Sequence, residues 1–246
     1  MNEDHKWLIH SILDPSRNKH SIFICHGQER TFSGRATRSC VLGRSIDNFN
    51  TTTYQPVGLE DLMLRTLTIP SWLHDVFGEQ QQPLEMVGII AFGLGVPVAA
   101  VFLAPAAFAE VPIWRSALAL LLIADIAAGC IANLTAGTND FYAARPRNRL
   151  VFLAVHVHIL AVAFLLNLDM VMAAAIWAYT IAGGVAVNAL PRGSGQRVAA
   201  GLLFAVGGSA LILLAGQFPL LAAVGLLFML KVMVNFAVDH RAEART

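Results

Sequence analysis

Four Asp, His and Lys side chains interrupt long apolar stretches of this sequence. They are Asp125, His156, His158 and Lys231. A charged group at the centre of a membrane-spanning helix costs about 3 kcal/mol on insertion scales, so such groups mark functional sites or are paired. Asp125 therefore predicts a proton-carrying acid of a transporter or, on a structural interpretation, the ion-pair partner of Lys231.

Two of the apolar stretches carry polar or small residues at every fourth position. These are Asp125, Gly129 and Asn133 in one stretch, and Lys231, Asn235 and Asp239 in another. Residues four apart share one face of a helix. Two helices that turn these stripes toward the protein interior are therefore predicted.

The depths of Asp125 and Lys231 argue against a direct ion pair between them. If the first helix ends near Gly137, Asp125 lies about 18 Å from that end at 1.5 Å per residue. Lys231 lies about 10 Å before Val238 by the same rise. The lysine would have to reach inward, whereas long cationic side chains extend toward the membrane surface. We therefore do not expect direct pairing to be favoured.

The two histidines are two residues apart, which is about 200° of rotation on an α-helix. They are therefore not expected to face one site, and a hydrogen bond to a neighbouring helix is the expected role of each. His156 is the better functional candidate, because its depth matches that of Asn133. A catalytic zinc needs three converging protein ligands, and Asp125, Asp140 and His240 lie at unlike depths. No metal or other cofactor is predicted.

The segment 133–149 is the most polar part of the chain after residue 85. Gly137 is expected to end the preceding helix in a left-handed cap. Asn139 and Asp140 would then line an entrance or gate. The alternative is an ordinary solvated loop with Tyr142 at the membrane interface.

The elements that must position these residues are six apolar stretches. The chain of 246 residues is 56% hydrophobic and only 13% charged, against roughly 25% charged in soluble domains. About 20 apolar residues suffice to span a bilayer. The stretches are 86–109, 114–136, 150–168, 170–190, 198–215 and 219–238. The last two are separated at Gly216-Gln217-Phe218-Pro219, because proline cannot donate a hydrogen bond in a helix interior but is accepted in the first turn. The predicted fold is an all-α membrane protein, a bundle of six transmembrane helices.

The arginines predict the orientation of this bundle. Seven follow the even-numbered stretches: Arg145, Arg147, Arg149, Arg192, Arg197, Arg241 and Arg245. One, Arg115, lies on the opposite side. The positive-inside rule then predicts a multi-pass protein of the cell (plasma or inner) membrane with both termini in the cytoplasm.

Three regions are predicted along the chain. Residues 1–62 are polar and lack apolar periodicity, which is typical of a disordered tail. Alternatives for this tail are a zinc set of His20, Cys25, His26 and Cys40, or a mis-called reading frame with the true start at Met63. Residues 63–84 form an interfacial amphipathic segment, in which Ser71 caps a short helix. Residues 85–246 form the six-helix transmembrane domain.

Three functional hypotheses follow from these patterns. The first is a small-solute or proton-coupled permease, based on the two polar stripes and on helix-breaking residues in the first and fourth stretches. The second is a non-catalytic assembly, sensor or scaffold subunit. The third is an intramembrane enzyme that uses His156 with Asp140 or Asn139. The expected partners are the lipid bilayer, an unknown small solute and a second copy or a membrane partner subunit, and no nucleic-acid partner is expected.

Overall fold

The fold is six long apolar helices, as seen in a computed structural model that describes residues 7–14, 19–26, 66–214 and 218–245. Each helix is long and apolar enough to cross a membrane. Spans one to six are Pro83–Leu103, Ile113–Ala132, Pro146–Leu165, Met170–Ala189, Ser194–Leu214 and Pro219–Phe236. The predicted all-α membrane fold with six transmembrane helices is confirmed.

The helix ends follow local sequence signals. Span one begins with Pro83, and the backbone N–H of Gln82 donates to Glu85 Oε2 at 3.0 Å. The Asp169 side chain caps span four by accepting from the Met172 N–H at 2.8 Å. Span six begins with Pro219, so the predicted break before this proline is confirmed.

Two spans depart from a continuous α-helix. Span three consists of helices Pro146–Val155 and His158–Leu165 with a break between them. Span six changes from an α-helix, Pro219–Met229, to a π-helix, Leu230–Phe236. Spans one and four, where helix-breaking residues were predicted to act, are continuous, and Pro97 lies inside span one.

Span six lies at the centre of the bundle. It packs against spans two, three, four and five. The core between these helices includes the fully buried side chains of Phe228 and Met229 from span six, Ile123 and Ile126 from span two, and Ile159 from span three. Span one packs on span two, at the edge of the bundle.

The connections that carry most of the arginines meet at one end of the bundle, here called the arginine-rich end. Between spans two and three lies a connecting helix, Ala136–Ala143. Gly137 belongs to this helix and does not form the predicted left-handed cap, because span two already ends at Ala132. At the opposite end of the bundle, Arg115 donates to Asn167 Oδ1 at 2.9 Å.

The segment before span one packs on the connecting helix. It contains two paired β-strands, β3 (Leu67–Thr68) and β4 (Gln80–Gln81), around a 3-10 turn, Ser71–Leu73, and a short helix, His74–Phe77. The Tyr142 hydroxyl donates to the Asp75 carbonyl at 2.8 Å, and Gln81 Nε2 donates to Thr135 Oγ1 at 2.7 Å. The predicted Ser71 cap is wrong, since no side chain caps either helical turn.

The described part of residues 1–65 is one antiparallel hairpin. Strand β1 (Trp7–Asp14) pairs with β2 (Lys19–His26), with Trp7 opposite His26. The sequence analysis did not anticipate this hairpin. The alternative of a zinc set in this tail falls on side chains outside the described residues.

Candidate functional site within the bundle

An ion pair joins spans two and six. Lys231 Nζ lies 2.6 Å from Asp125 Oδ2 and also donates to the Asp125 carbonyl at 3.2 Å. The expectation that this pair is disfavoured is wrong, because span two ends at Ala132 and not near Gly137. Asp125 is thus about 10 Å from the end of its helix at the α-helical rise, and Lys231 lies in the last, π-helical part of span six, Leu230–Phe236.

Gly129 leaves room for the lysine to reach the carboxylate. A Cβ atom added at Gly129 would lie 2.8 Å from Lys231 Cδ and 2.9 Å from Nζ. These distances are closer than van der Waals contact, so a larger residue would displace the lysine. The Lys231 side chain is only 4% exposed, whereas that of Asp125 is 42% exposed.

The break in span three brings both histidines to this ion pair. His156 has φ −78° and ψ 76°, and the Val157 N–H donates to the Val155 carbonyl at 2.9 Å. This geometry is an inverse γ-turn. The ring centroids of His156 and His158 are 5.0 Å apart, and His158 Nε2 lies 3.4 Å from Asp125 Oδ2. The expectation that the two histidines cannot face one site is therefore wrong.

Neighbouring groups fix the orientation of the His156 ring. Its Nδ1 lies 2.5 Å from the Phe152 carbonyl, to which it donates, and the ring lies over Phe152 at 3.8 Å. Trp177 Nε1 donates to the His156 carbonyl at 3.0 Å. Within the described part of the chain, His156 Nε2 and His158 Nδ1 are buried without a hydrogen-bond partner. Each is a lone-pair acceptor when the ring is neutral and its other nitrogen donates.

The two polar stripes face each other, whereas the sequence predicted only that each turns toward the protein interior. Asn235 Nδ2 donates to the Cys130 carbonyl at 2.6 Å, and Asn133 Nδ2 donates to the Lys231 carbonyl at 3.3 Å. Amide hydrogen bonds of this kind hold neighbouring membrane helices together. They fix spans two and six relative to each other, and this arrangement places Asp125 opposite Lys231.

The other two predicted site residues lie elsewhere, at the arginine-rich end. Asn139 is buried and donates to the Val238 carbonyl at 3.4 Å. Asp140 is half exposed, pairs with Arg245 and lies 3.3 Å from Arg241 Nε. Asp140 also lines an open cavity of about 530 Å³ beside β4 and the connecting helix. The structure therefore does not place Asn139 or Asp140 with His156.

Polar side chains from other spans hold the end of span six. Arg149 donates to the Phe236 and Val238 carbonyls at 2.8 and 3.0 Å. Gln196 Nε2 donates to the Ala237 carbonyl at 3.3 Å, and its Oε1 accepts from the Asp239 N–H at 2.8 Å. Sequence reasoning counted Arg149 only as a loop charge and gave no role to Gln196.

Asp239 is a fully buried acid at this end of the bundle. It pairs with Arg245, and its Oδ2 lies 3.5 Å from Arg192 Nε. Nearby, His240 donates through Nε2 to the Val234 carbonyl at 3.0 Å. Burial lowers the pKa of His240, and the charges of Arg197 and Arg149 lower it further.

The described side chains include no group of three or more His, Cys, Asp or Glu placed to hold a metal ion. No protein-family model, curated protein or solved structure matches this chain. The candidate functional site is therefore the Asp125 cluster, which we define as Asp125, His156, His158 and Lys231.

Proposed function

We propose that this integral membrane protein is a proton-coupled permease for a small solute, with Asp125 as the group that takes up and releases the proton. The observation that carries the proposal is the ion pair between Asp125 and Lys231, with two imidazoles beside it, inside the six-helix bundle. Ionisable residues within membrane helices are typical of proton relays and ion pathways.

The geometry gives the proton a route to the carboxylate. The free nitrogens of His156 and His158 are proton acceptors in the neutral rings. His158 lies 3.4 Å from the carboxylate and 5.0 Å, between ring centroids, from His156. Because its side chain is 42% exposed, Asp125 is the part of the ion pair closest to the outside of the bundle.

Protonation of Asp125 has a structural consequence. It removes the charge that holds Lys231, and the lysine lies in the π-helical part of span six. π-Helical turns occur frequently at functional sites, and discontinuous helices line the binding sites of many transporters. The proton would thus shift the packing of span six against span two between two states, one with the ion pair and one without it. Coupled transport requires such a two-state element.

We propose the orientation that the arginines predict, with both termini in the cytoplasm of the cell membrane. A reporter that is active only in the cytoplasm should be active when fused after Arg147 or Gly195. It should be silent when fused after Pro112 or Asp169. Activity at either of the last two positions would overturn the orientation.

The functional proposal is tested with purified protein in vesicles that contain a pH-sensitive dye. A gradient of a transported solute should change the internal pH in vesicles with the native chain. Asp125→Asn should abolish the change, because the amide cannot carry a proton. Asp140→Asn is the matched control and should keep it. Equal proton movement with Asp125→Asn and the native chain would remove Asp125 from the mechanism.

One observation favours the second candidate, an assembly subunit. Asp125 shares a helix face with Leu118 and Leu121, and both leucines are exposed on the bundle surface. A helix of a partner subunit could cover this face and the exposed carboxylate. Cross-linking from Leu121→Cys to another protein, together with an absence of proton movement, would favour this candidate over the permease.

A further inference from the structure

We infer that the solute bound at the Asp125 cluster is a small monovalent anion that arrives together with a proton. This inference rests on the proposed function and adds the chemical class of the solute. In the unloaded state, before a proton and an anion bind, the Asp125 carboxylate occupies the position of that anion.

Two donors converge on a single oxygen atom. Lys231 Nζ lies 2.6 Å and His158 Nε2 lies 3.4 Å from Asp125 Oδ2. An ammonium and an imidazole N–H around one negatively charged oxygen form an anion site, and here the anion is part of the chain. When Asp125 is protonated and turns away, the two donors remain and the position of Oδ2 becomes free.

Protonation of Asp125 leaves the cluster with one unbalanced positive charge, so a second anion is needed at the position of Oδ2. In the unloaded state the ion pair is neutral. One proton added to the carboxylate leaves the ammonium of Lys231, which is 4% exposed, without a counter-ion. A buried charge that loses its partner is strongly unfavourable. One monovalent anion beside Lys231 restores neutrality, so the loaded and unloaded clusters both carry no net charge.

The elements packed around Lys231 provide no other anion. Span two contributes Asp125 and Cys130, span three contributes His156 and His158, and Asn133 donates to the Lys231 backbone. Between Met86 and Leu103 span one has no ionisable residue, and the ionisable residue of span four, Tyr179, donates to the Leu203 carbonyl at 2.7 Å. Span five also packs on this part of span six and contains no acid. Among the described residues of these elements, none besides Asp125 can therefore supply the counter-charge to Lys231.

The test measures how anions stabilise the purified protein. The probes are chloride, nitrate and methanesulfonate, compared at equal ionic strength with gluconate, a much larger monovalent anion. In the native chain at least one probe should raise the unfolding temperature, and the concentration for half of the effect should be about tenfold lower at about pH 5 than at about pH 8.

Three variants make the result decisive. Asp125→Asn imitates the protonated acid, so the same probe should stabilise it equally at both pH values. Lys231→Met should lose the effect. The double variant Asp125→Asn with Lys231→Met is the matched background, because it lacks the ammonium but contains no unpaired charge, and it should also lose the effect.

The inference and the proposed function fail in different ways. If none of the three anions stabilises Asp125→Asn more than the double variant, the anion inference is overturned, whatever the proton movement. If proton movement in vesicles is unchanged in Asp125→Asn, the proposed function fails. Anion binding that is lost with Lys231 and independent of pH only in Asp125→Asn supports the inference.

Discussion

Removing either partner of the ion pair between Asp125 and Lys231 should destabilise the protein, but by unequal amounts. Asp125→Asn leaves the ammonium of Lys231, 4% exposed, without its counter-ion. Breaking a buried pair in this way costs about 3–5 kcal/mol. The remaining hydrogen bond from Lys231 Nζ to the carbonyl of residue 125, at 3.2 Å, keeps the expected cost within that range.

Lys231→Met should cost less. The carboxylate it leaves behind is 42% exposed and keeps His158 at 3.4 Å. We expect a loss of about 1–2 kcal/mol, because a half-exposed charge is easier to compensate than a buried one. Methionine keeps an unbranched stem beside Gly129, so packing changes little. The double variant should be more stable than Asp125→Asn alone, since no charge then stays unpaired.

The assay is reversible unfolding in mixed detergent micelles at about pH 7, followed by tryptophan fluorescence, and it yields a double-mutant cycle. The control is Asp140→Asn, which removes a half-exposed carboxylate at the arginine-rich end. It measures the cost of losing a carboxylate that is not paired with Lys231. The reasoning is refuted if Lys231→Met costs as much as Asp125→Asn, or if the two costs simply add in the double variant.

Three further variants test the surroundings of the cluster and the end of span six. Gly129→Ala should displace Lys231 and weaken the solute-driven proton movement, while Gly95→Ala, whose added Cβ meets nothing within 4 Å, should leave that movement unchanged. Arg149→Met should lower the free energy of unfolding by about 1–3 kcal/mol, since it leaves backbone carbonyls at the end of span six without that donor. The pKa of His240 is lowered from 6.5, so below that pH the unfolded chain binds a proton that the folded chain does not, and the free energy of unfolding should fall as pH falls. In His240→Gln this fall should be shallower, and an equal fall in both proteins would contradict the assignment.

Much of the fold was predictable because its signals are local. Span length follows from uninterrupted apolar sequence, and Pro219 marks the start of span six for a steric reason. The four-residue spacing of polar residues predicted that spans two and six each turn a polar face toward the protein interior. That the two faces meet, as the hydrogen bond from Asn235 to the Cys130 carbonyl shows, was not predicted.

The arrangement of the site was less predictable, because it depends on irregular backbone. No proline or glycine marks the turn at His156, so no local signal indicated that His156 and His158 would share one site. The end of span two at Ala132 and the π-helix of span six likewise depend on tertiary contacts. Among these are the bonds from Arg149 and Gln196 to backbone carbonyls at the end of span six.

The most direct test of the central claim is to observe the proton on Asp125. Infrared difference spectra of the purified protein between acid and neutral pH report the stretch of protonated carboxyl groups. The account predicts a protonated-carboxyl band in the native chain that is absent in Asp125→Asn and retained in Asp140→Asn. A band of unchanged intensity in Asp125→Asn would show that Asp125 does not take up the proton, and it would contradict the proposed mechanism.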